Sequence, residues 1–377
     1  MNQPALDLLS GDAQTFHHKV WASRVHLHHT DPEDLVGLLS LDDVDHLLTS
    51  SALRTPALRL AQDGAVIAPS RFTRSATMAG SPLTGLVDAR KVLDLFDGGA
   101  TVVLQGLHRY HPPLTRLVRQ LELELGHPCQ ANAYLTPPGA QGFARHSDTH
   151  DVFVFQTHGR KQWEVVEDDV ARVVLLVPGL SMYLPTGTPH SARSQDETSL
   201  HVTLGINRLT WRELLRTLAD RALVDGAFDA PLPSGWLDDP ALLANAVDGP
   251  LASFSAALVS LDRSGVAAER ASAFLSERAP ALGGGLTDRV RLASLSDDTK
   301  LERRPTAACV LTPGEERLTV HLGDRALRMP LRLTPVMEFV RDTASFQVGD
   351  LAPWLDEASR SVVARRLVRE GLLRIAP

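Results

Sequence analysis

From residue 152 onward the chain runs as short apolar segments cut by turn residues, a pattern that admits few architectures. Val152-Phe153-Val154-Phe155 leads into a Gly-containing turn at residues 157–160, and residues 162–166 read as the returning strand. Residues 173–177 end at Pro178-Gly179, and residues 200–206 form another apolar run. Segments this short, bounded by Gly and Pro, predict strands and hairpins rather than helices. His146-Ser147-Asp148 stands at the head of the series. His190 lies 44 residues further on, beyond Pro185-Thr186-Gly187-Thr188-Pro189, where a strand turns back. Two imidazoles and one carboxylate on a β scaffold would fill one face of an octahedral Fe(II) and leave the other open to a cosubstrate and O2. In a double-stranded β-helix, strands distant in sequence face each other across a barrel mouth, which bridges such a separation.

A His-x-Asp tripeptide alone is unspecific, and a second copy occurs at His29-Thr30-Asp31. There Thr30 and Glu33 are spaced as a capping box and Pro32 suits a first helical turn, so this copy is expected to be structural. His17, His18, His26, His28 and His29 fall in a strand-like segment without regular ligand spacing and are expected to be solvated. His150 and Asp151 lie near the metal pair, but three protein ligands suffice.

Asn132-Ala133-Tyr134, the run Gln141-Gly142-Phe143-Ala144-Arg145-His146-Ser147-Asp148, and then Gln156, Gly159-Arg160-Lys161 and Trp163 resemble the ribosomal-oxygenase branch of the JmjC cupin-fold oxygenases. Residues 183–190 and 199–203 are similar to the same family's later strands, and the resemblance is continuous over residues 130–208. It implies Fe(II) at His146, Asp148 and His190, with 2-oxoglutarate as cosubstrate and O2 as oxidant. It also gives Lys161 a role: a cosubstrate chelating iron through its 2-oxo-carboxylate leaves a distal carboxylate in need of a cation, and a buried amine alone is costly.

Asn132 and Tyr134, two residues apart, share a strand face. The resemblance places that face inside the barrel, where the Asn132 amide can hydrogen-bond cosubstrate and the Tyr134 phenol can meet cosubstrate or substrate; either also suits a polar position in the core. Thr203 is carried as a cosubstrate contact with the same alternative. His201 is expected to be an ordinary hydrogen-bonded core histidine. Leu180 follows Gly179 where the broader cupin pattern commonly has an acidic residue, so this turn departs from that pattern.

A chain of 377 residues exceeds what one core usually holds, and its 44% hydrophobic content is ample for folded cores. The expected architecture is α+β and multidomain: a JmjC/cupin jelly roll over residues 1–208, a helical dimerising domain over 209–298, and a winged-helix-like domain over 299–377. Residues 35–48, 91–96 and 114–125 read as helices of the first domain, and 57–68 as two short strands. Trp211, Leu214, Leu215, Leu218 and Ala222 share one helical face, and further helices are expected at 240–247, 251–261 and 267–275. Strands at 307–311 and 318–322 and helices at 334–341, 348–355 and 358–370 give the winged-helix order. By resemblance to the ribosomal oxygenases, the helical region makes a homodimer.

Arg360, Arg365, Arg366 and Arg369 could make the last helix a DNA reader, although a charge run is usually a solvated face. The net charge of −7 argues against a broad nucleic-acid surface. Two cysteines, Cys129 and Cys309, cannot build a disulfide framework. Residues 1–14 lack a basic start followed by an apolar run, and no stretch is expected to reach the roughly eighteen apolar residues of a membrane span. A cytoplasmic protein is expected.

The functional expectation is an Fe(II)- and 2-oxoglutarate-dependent protein hydroxylase. By resemblance its target is an arginyl or histidyl side chain of a ribosomal protein. Two other classes stay open: a non-oxygenase cupin holding Zn or Ni, and a metabolite-sensing regulator that binds DNA through the winged helix.

Overall fold

The computed structural model of the chain describes residues 3–141, 144–224, 226–280 and 282–376; Gly142 and Phe143 of the resembling run lie outside the described residues. The chain divides into two compact units, Met1–Arg208 and Leu209–Pro377.

Unit one contains thirteen strands among its described residues. They are β1 (His26–His29), β2 (Leu58–Gln62), β3 (Ala65–Val66), β4 (Thr73–Met78), β5 (Ser81–Val87), β6 (Thr101–Leu104), β7 (Cys129–Thr136), β8 (Asp151–His158), β9 (Lys161–Glu167), β10 (Val170–Leu176), β11 (Leu180–Leu184), β12 (His190–Ser194) and β13 (Ser199–Ile206). The larger sheet runs β1-β11-β8-β13-β7-β6-β2-β3 and the smaller β10-β9-β12, with β4 and β5 as a separate hairpin. Bridges Gln141↔Arg193 and His146↔His190 extend the smaller sheet along β12.

The apolar run of β8 is buried on both faces, as a central strand covered on each side requires. Val152 and Val154 pack with Trp163, Val165, Met182 and Leu184 between the two sheets. Phe153 and Phe155 point the other way, into a core with Phe16, Leu117 and Leu121 from the helices. The period of two therefore separates the layer between the sheets from the layer beneath the helices. At the tip of the β8–β9 hairpin Gly159 has φ +61, and a Cβ there would lie 2.0 Å from the Thr198 carbonyl oxygen. Only glycine fits that turn without displacing backbone.

Among the described residues of unit one the α-helices are α1 (Ala5–Ser10), α2 (Ala13–Lys19), α3 (Pro32–Val36), α4 (Leu41–Ser50), α5 (Ala89–Asp97) and α6 (Pro112–Leu125). Several local expectations change. The single helix expected over 35–48 is two helices, because Ser40 and Asp43 form a capping box that starts α4 afresh. Asp31, not Thr30, caps α3 by accepting from the Glu33 N–H, while the Thr30 N–H is engaged by the Gly179 carbonyl at 2.8 Å. His17 and His18 lie on α2, and only His26, His28 and His29 are on a strand.

In unit two the helices are α7 (Trp211–Ala222), α8 (Pro240–Ala246), α9 (Asp248–Ser260), α10 (Arg263–Ser276) and α11 (Gly285–Arg291). Two three-stranded antiparallel sheets follow: β14 (Lys300–Arg303) between β18 (Ser345–Gln347) and β19 (Leu373–Ile375), and β16 (Arg317–His321) between β15 (Val310–Pro313) and β17 (Ala326–Pro330). Helices α12 (Thr334–Asp342) and α13 (Glu357–Arg369) accompany them, and residues 348–351 form a short 3-10 turn where a helix was expected. Four of these six strands escape sequence reading, since three to five residues carry too little period to register.

The boundary expected at residue 298 does not separate compact units. Leu292 and Leu295 belong to the same core as Leu301, Val336 and Leu367. Buried Arg304 pairs with Asp288, and Arg360 pairs with Asp297.

Against the expectation that no stretch would, Pro240–Ser260 reaches the length and composition of a membrane span; its most apolar 18 residues have mean hydropathy 1.4 and none of them is buried. The stretch is interrupted at Val247, where α8 ends and α9 begins, so the break expected at Gly249-Pro250 falls slightly earlier, and Pro250 lies in the first turn of α9, where a missing N–H costs no intrahelical bond.

Candidate metal centre

The two sheets of unit one enclose a pocket whose lining comes from both. The larger contributes Thr101, Tyr134, Val152, Val154, His201 and Thr203; the smaller contributes Lys161, Trp163, His190 and Ala192; His146 and Asp148 complete it. Among the described residues, His146, Asp148 and His190 form a group whose ligand atoms all lie within 4.8 Å of one another. Asp148 places Oδ1 3.8 Å from His146 Nε2 and Oδ2 3.7 Å from His190 Nε2.

Each imidazole has its tautomer set by the backbone. His146 Nδ1 donates to the Ala144 carbonyl at 2.8 Å, and His190 Nδ1 donates to the Thr188 carbonyl at 2.9 Å. Each ring thereby presents Nε2 as the lone-pair nitrogen on the side of Asp148, and such outer partners orient ligands in metal sites generally. Burial holds the His190 pKa below the usual histidine range, which also favours the neutral, ligating form.

Deeper in, Lys161 is only 3% exposed, and Nζ donates to Thr136 Oγ1 at 2.9 Å. Thr101 Oγ1 lies 3.2 Å from the same Thr136 oxygen. No carboxylate among the described residues pairs with the amine, and burial pushes its pKa down to about 7. Two further buried polar atoms of lining residues, Trp163 Nε1 and His201 Nδ1, have no hydrogen-bond partner. A divalent first-row transition-metal cation suits the two-His, one-carboxylate donor set, and an anionic ligand with several acceptor oxygens suits Lys161 and its unpaired neighbours.

The structure brings His146, Asp148, His190, Lys161, Tyr134 and Thr203 to one pocket. Asn132 departs from its expected placement. It shares the strand face of Tyr134, but its carboxamide oxygen accepts the Gly106 N–H at 3.0 Å and it does not line the pocket. Its observed role is to hold the turn after β6.

His201 departs in the opposite direction. Its ring stacks on Tyr134, with centroids 4.8 Å apart and planes 3° from parallel, and it meets Trp163 edge-on. Burial, aided by the Lys161 charge, keeps its pKa well below the ordinary value, so it is neutral. Burial raises the Tyr134 phenol, whose hydroxyl hydrogen-bonds Arg59. Thr101 and Thr136 were missed altogether. A lone threonine in an apolar strand carries no signal until the lysine it faces is known.

The arginines of α13 are largely engaged within unit two. Arg360 pairs with Asp297, Arg366 with Glu370, and Arg365 donates to the Leu292 and Leu295 carbonyls.

Residues 107–214 match the JmjC domain model. The bifunctional lysine-specific demethylase and histidyl-hydroxylase NO66 of Branchiostoma floridae is 35% identical over 173 residues, 44% of this chain and 28% of that protein. Ribosomal oxygenase 1 of Rattus norvegicus is 32% identical over 172 residues, 38% of this chain and 29% of its own length. The match thus spans less than a third of these relatives. The solved structure of the Escherichia coli ribosomal oxygenase YcfD covers 98% of this chain and 99% of its own, with TM-score 0.55 and 17% identity. YcfD in complex with cobalt and 2-oxoglutarate matches with TM-score 0.54 and 16% identity, over the same shares of the two chains. At such identity these structures establish a shared fold.

Proposed function

We propose that the chain, whose residues 107–214 match the JmjC domain model and whose relatives include ribosomal oxygenases, is an Fe(II)- and 2-oxoglutarate-dependent protein hydroxylase acting on a ribosomal protein. One observation carries the reading. A two-His, one-carboxylate triad opens onto the same pocket as a buried lysine with no carboxylate partner. Bound iron, 2-oxoglutarate and O2 would together supply the oxidation of an unactivated C–H bond, with succinate and CO2 as coproducts.

The chain's own groups do the positioning. His146, Asp148 and His190 would hold the cation, and the Ala144 and Thr188 carbonyls fix the two rings. Lys161, steadied by Thr136, would receive the distal carboxylate of the cosubstrate. Val152, Val154 and Trp163 wall the pocket against water. Tyr134, stacked on His201 and tied to Arg59, is assigned to the substrate side, and Thr203 to the cosubstrate side.

An arginyl or histidyl side chain is the proposed target, in keeping with the histidyl-hydroxylase and ribosomal-oxygenase names of the relatives. A cytoplasmic location belongs to the same proposal. The decisive experiment is anaerobic reconstitution with Fe(II) and 2-oxoglutarate, followed by turnover on ribosomal-protein peptides with His146→Ala as control. Added oxygen on a peptide together with succinate supports the reading. Equal turnover by wild type and variant refutes the site, and a metal-loaded protein that forms no succinate returns the chain to the non-oxygenase cupins.

Unit two is proposed to form a homodimer through its helical segment. Support comes from the exposed apolar side chains Trp211 (77%), Val259 (71%) and Leu286 (81%). Asp248, Gly249 and Pro250 in the middle of Pro240–Ser260 favour a protein partner over a bilayer, since a charge at bilayer depth is expensive. A winged-helix-like role for residues 299–377 is proposed as architectural, because Arg360 and Arg366 of α13 pair with Asp297 and Glu370 and Arg365 is engaged by backbone carbonyls of its own unit. Sedimentation of Leu251→Asp and Val259→Asp variants tests the dimer, which should dissociate.

A further inference from the structure

Asp151 is the first residue of β8 and is fully buried, yet its carboxylate serves a turn more than thirty residues away. Oδ1 accepts both the N–H and the O–H of Thr186, at 2.8 and 2.6 Å, and Oδ2 accepts the hydroxyl of Tyr183. Arg208 Nε, just past the end of β13, lies 3.3 Å from Oδ1. The Tyr183 oxygen in turn accepts the Ala22 N–H at 3.0 Å. One carboxylate thus joins the start of β8, the end of β11 and the turn that precedes β12.

That turn ends at a metal ligand. The Thr188 hydroxyl donates to the Pro185 carbonyl at 2.8 Å, the Gly187 N–H donates to the Asp148 carbonyl at 3.0 Å, and the Thr188 carbonyl accepts from His190 Nδ1. An unbroken series of bonds therefore leads from Asp151 through Thr186 and the turn to the rings and backbone of the centre. We propose that Asp151 is a positioning residue for the metal centre, its buried carboxylate holding the 185–189 turn at the height that aims His190 Nε2 toward Asp148. The proposal rests on the metal-centre part of the proposed function and needs nothing of the oxygenation reaction. A carboxylate that served the core alone would be replaceable at a cost in stability and none in metal affinity.

The test uses the full chain, Co(II) titration followed by visible absorption, and thermal unfolding of the metal-free protein. Asp151→Asn keeps the volume but replaces one acceptor oxygen by a donor amide, which no longer suits the Tyr183 hydroxyl. Co(II) affinity should fall by about tenfold or more, in the range of other outer-shell partners. Thr186→Val, which removes only the hydroxyl, should weaken Co(II) by a smaller factor. The double variant should weaken Co(II) by less than the product of the two single effects, because both substitutions loosen the same turn. Ser181→Ala is the control. It deletes a buried hydroxyl that bonds the Leu9 carbonyl from the neighbouring stretch of β11, and should lower the unfolding temperature without moving affinity.

The idea is overturned if Asp151→Asn binds Co(II) as tightly as wild type, or if Ser181→Ala loses as much affinity for the same loss of stability. Should Asp151→Asn not fold, Thr186→Val decides the matter, and unchanged affinity there overturns it. A His146→Ala protein that binds Co(II) like wild type would instead remove the metal centre itself.

Discussion

The backbones of His146 and His190 exchange both hydrogen bonds, His146 N–H to the His190 carbonyl at 3.0 Å and His190 N–H to the His146 carbonyl at 2.8 Å. Two ligands 44 residues apart in sequence are thus directly opposed across an antiparallel bridge, with ring centroids 4.5 Å apart. The spacing of the ligands depends on a backbone pairing rather than on side-chain packing. Because the residues that precede His190 form the turn held by Asp151, the geometry of the centre is set before any cation arrives.

Substituting any one of the three ligands should remove the site. His146→Ala, Asp148→Ala and His190→Ala are each expected to weaken Co(II) or Mn(II) binding by more than about 100-fold, beyond the loss usual for outer-shell partners. Titration calorimetry on the metal-free chain checks this, and a variant that retains tight binding would exclude its residue from the ligand set.

Lys161→Met should trade function for stability. The thioether fills the space of the amine stem without a desolvated cation, so the metal-free protein should gain about 1–4 kcal/mol while losing affinity for 2-oxoglutarate. Denaturant unfolding near pH 6 is the measurement. A destabilised variant would mean that the Thr136 contact outweighs the burial of the amine.

The same lysine makes that gain depend on pH. Its pKa is lowered to about 7 in the folded chain, from an ordinary 10.5, so between those limits the unfolded chain binds the extra proton. Wild-type stability therefore rises with pH across that window, and the advantage of Lys161→Met is greatest below pH 7 and shrinks above it. A carboxylate ligand should restore the ammonium form. Binding of 2-oxoglutarate above pH 7 should take up a proton and weaken as pH rises, which calorimetry in buffers of different ionisation enthalpy detects. Binding without proton uptake at pH 8 would exclude Lys161 as the carboxylate's partner.

Gly159→Ala should cost more than about 2 kcal/mol, since the positive φ and the approach to the Thr198 carbonyl both oppose a Cβ. Because Gly159 precedes Lys161 by two residues, the variant should also weaken 2-oxoglutarate binding; the unfolding midpoint and a ligand titration together check it.

The strands of the site were legible because their signals are local. Residues 152–155 carry a buried strand's apolar run, Gly159 and Gly179 mark turns, and the ligand residues are of types with few other uses in such a setting. Asn132 shows where that reading stops. Its face was inferred correctly from parity, but the Gly106 N–H that engages its oxygen belongs to another loop. His201 was assigned to the core from its apolar neighbours, although the pocket it lines is made by strands from the other sheet. The boundary expected at 298 failed for a similar reason, since the Arg304–Asp288 pair and the shared core around Leu292 join segments that look distinct in composition.

By itself the sequence marked the strands and turns around the centre, the three residues that meet as a candidate ligand set and a lysine suited to an anionic cosubstrate, because turns, period and residue chemistry are written along the chain. Tertiary structure alone decided which polar groups are left without partners in the pocket, how Asp151 reaches Thr186, and that the last two segments form one unit. Those properties depend on contacts between residues far apart in sequence, and burial or pairing has no value until both partners are in place.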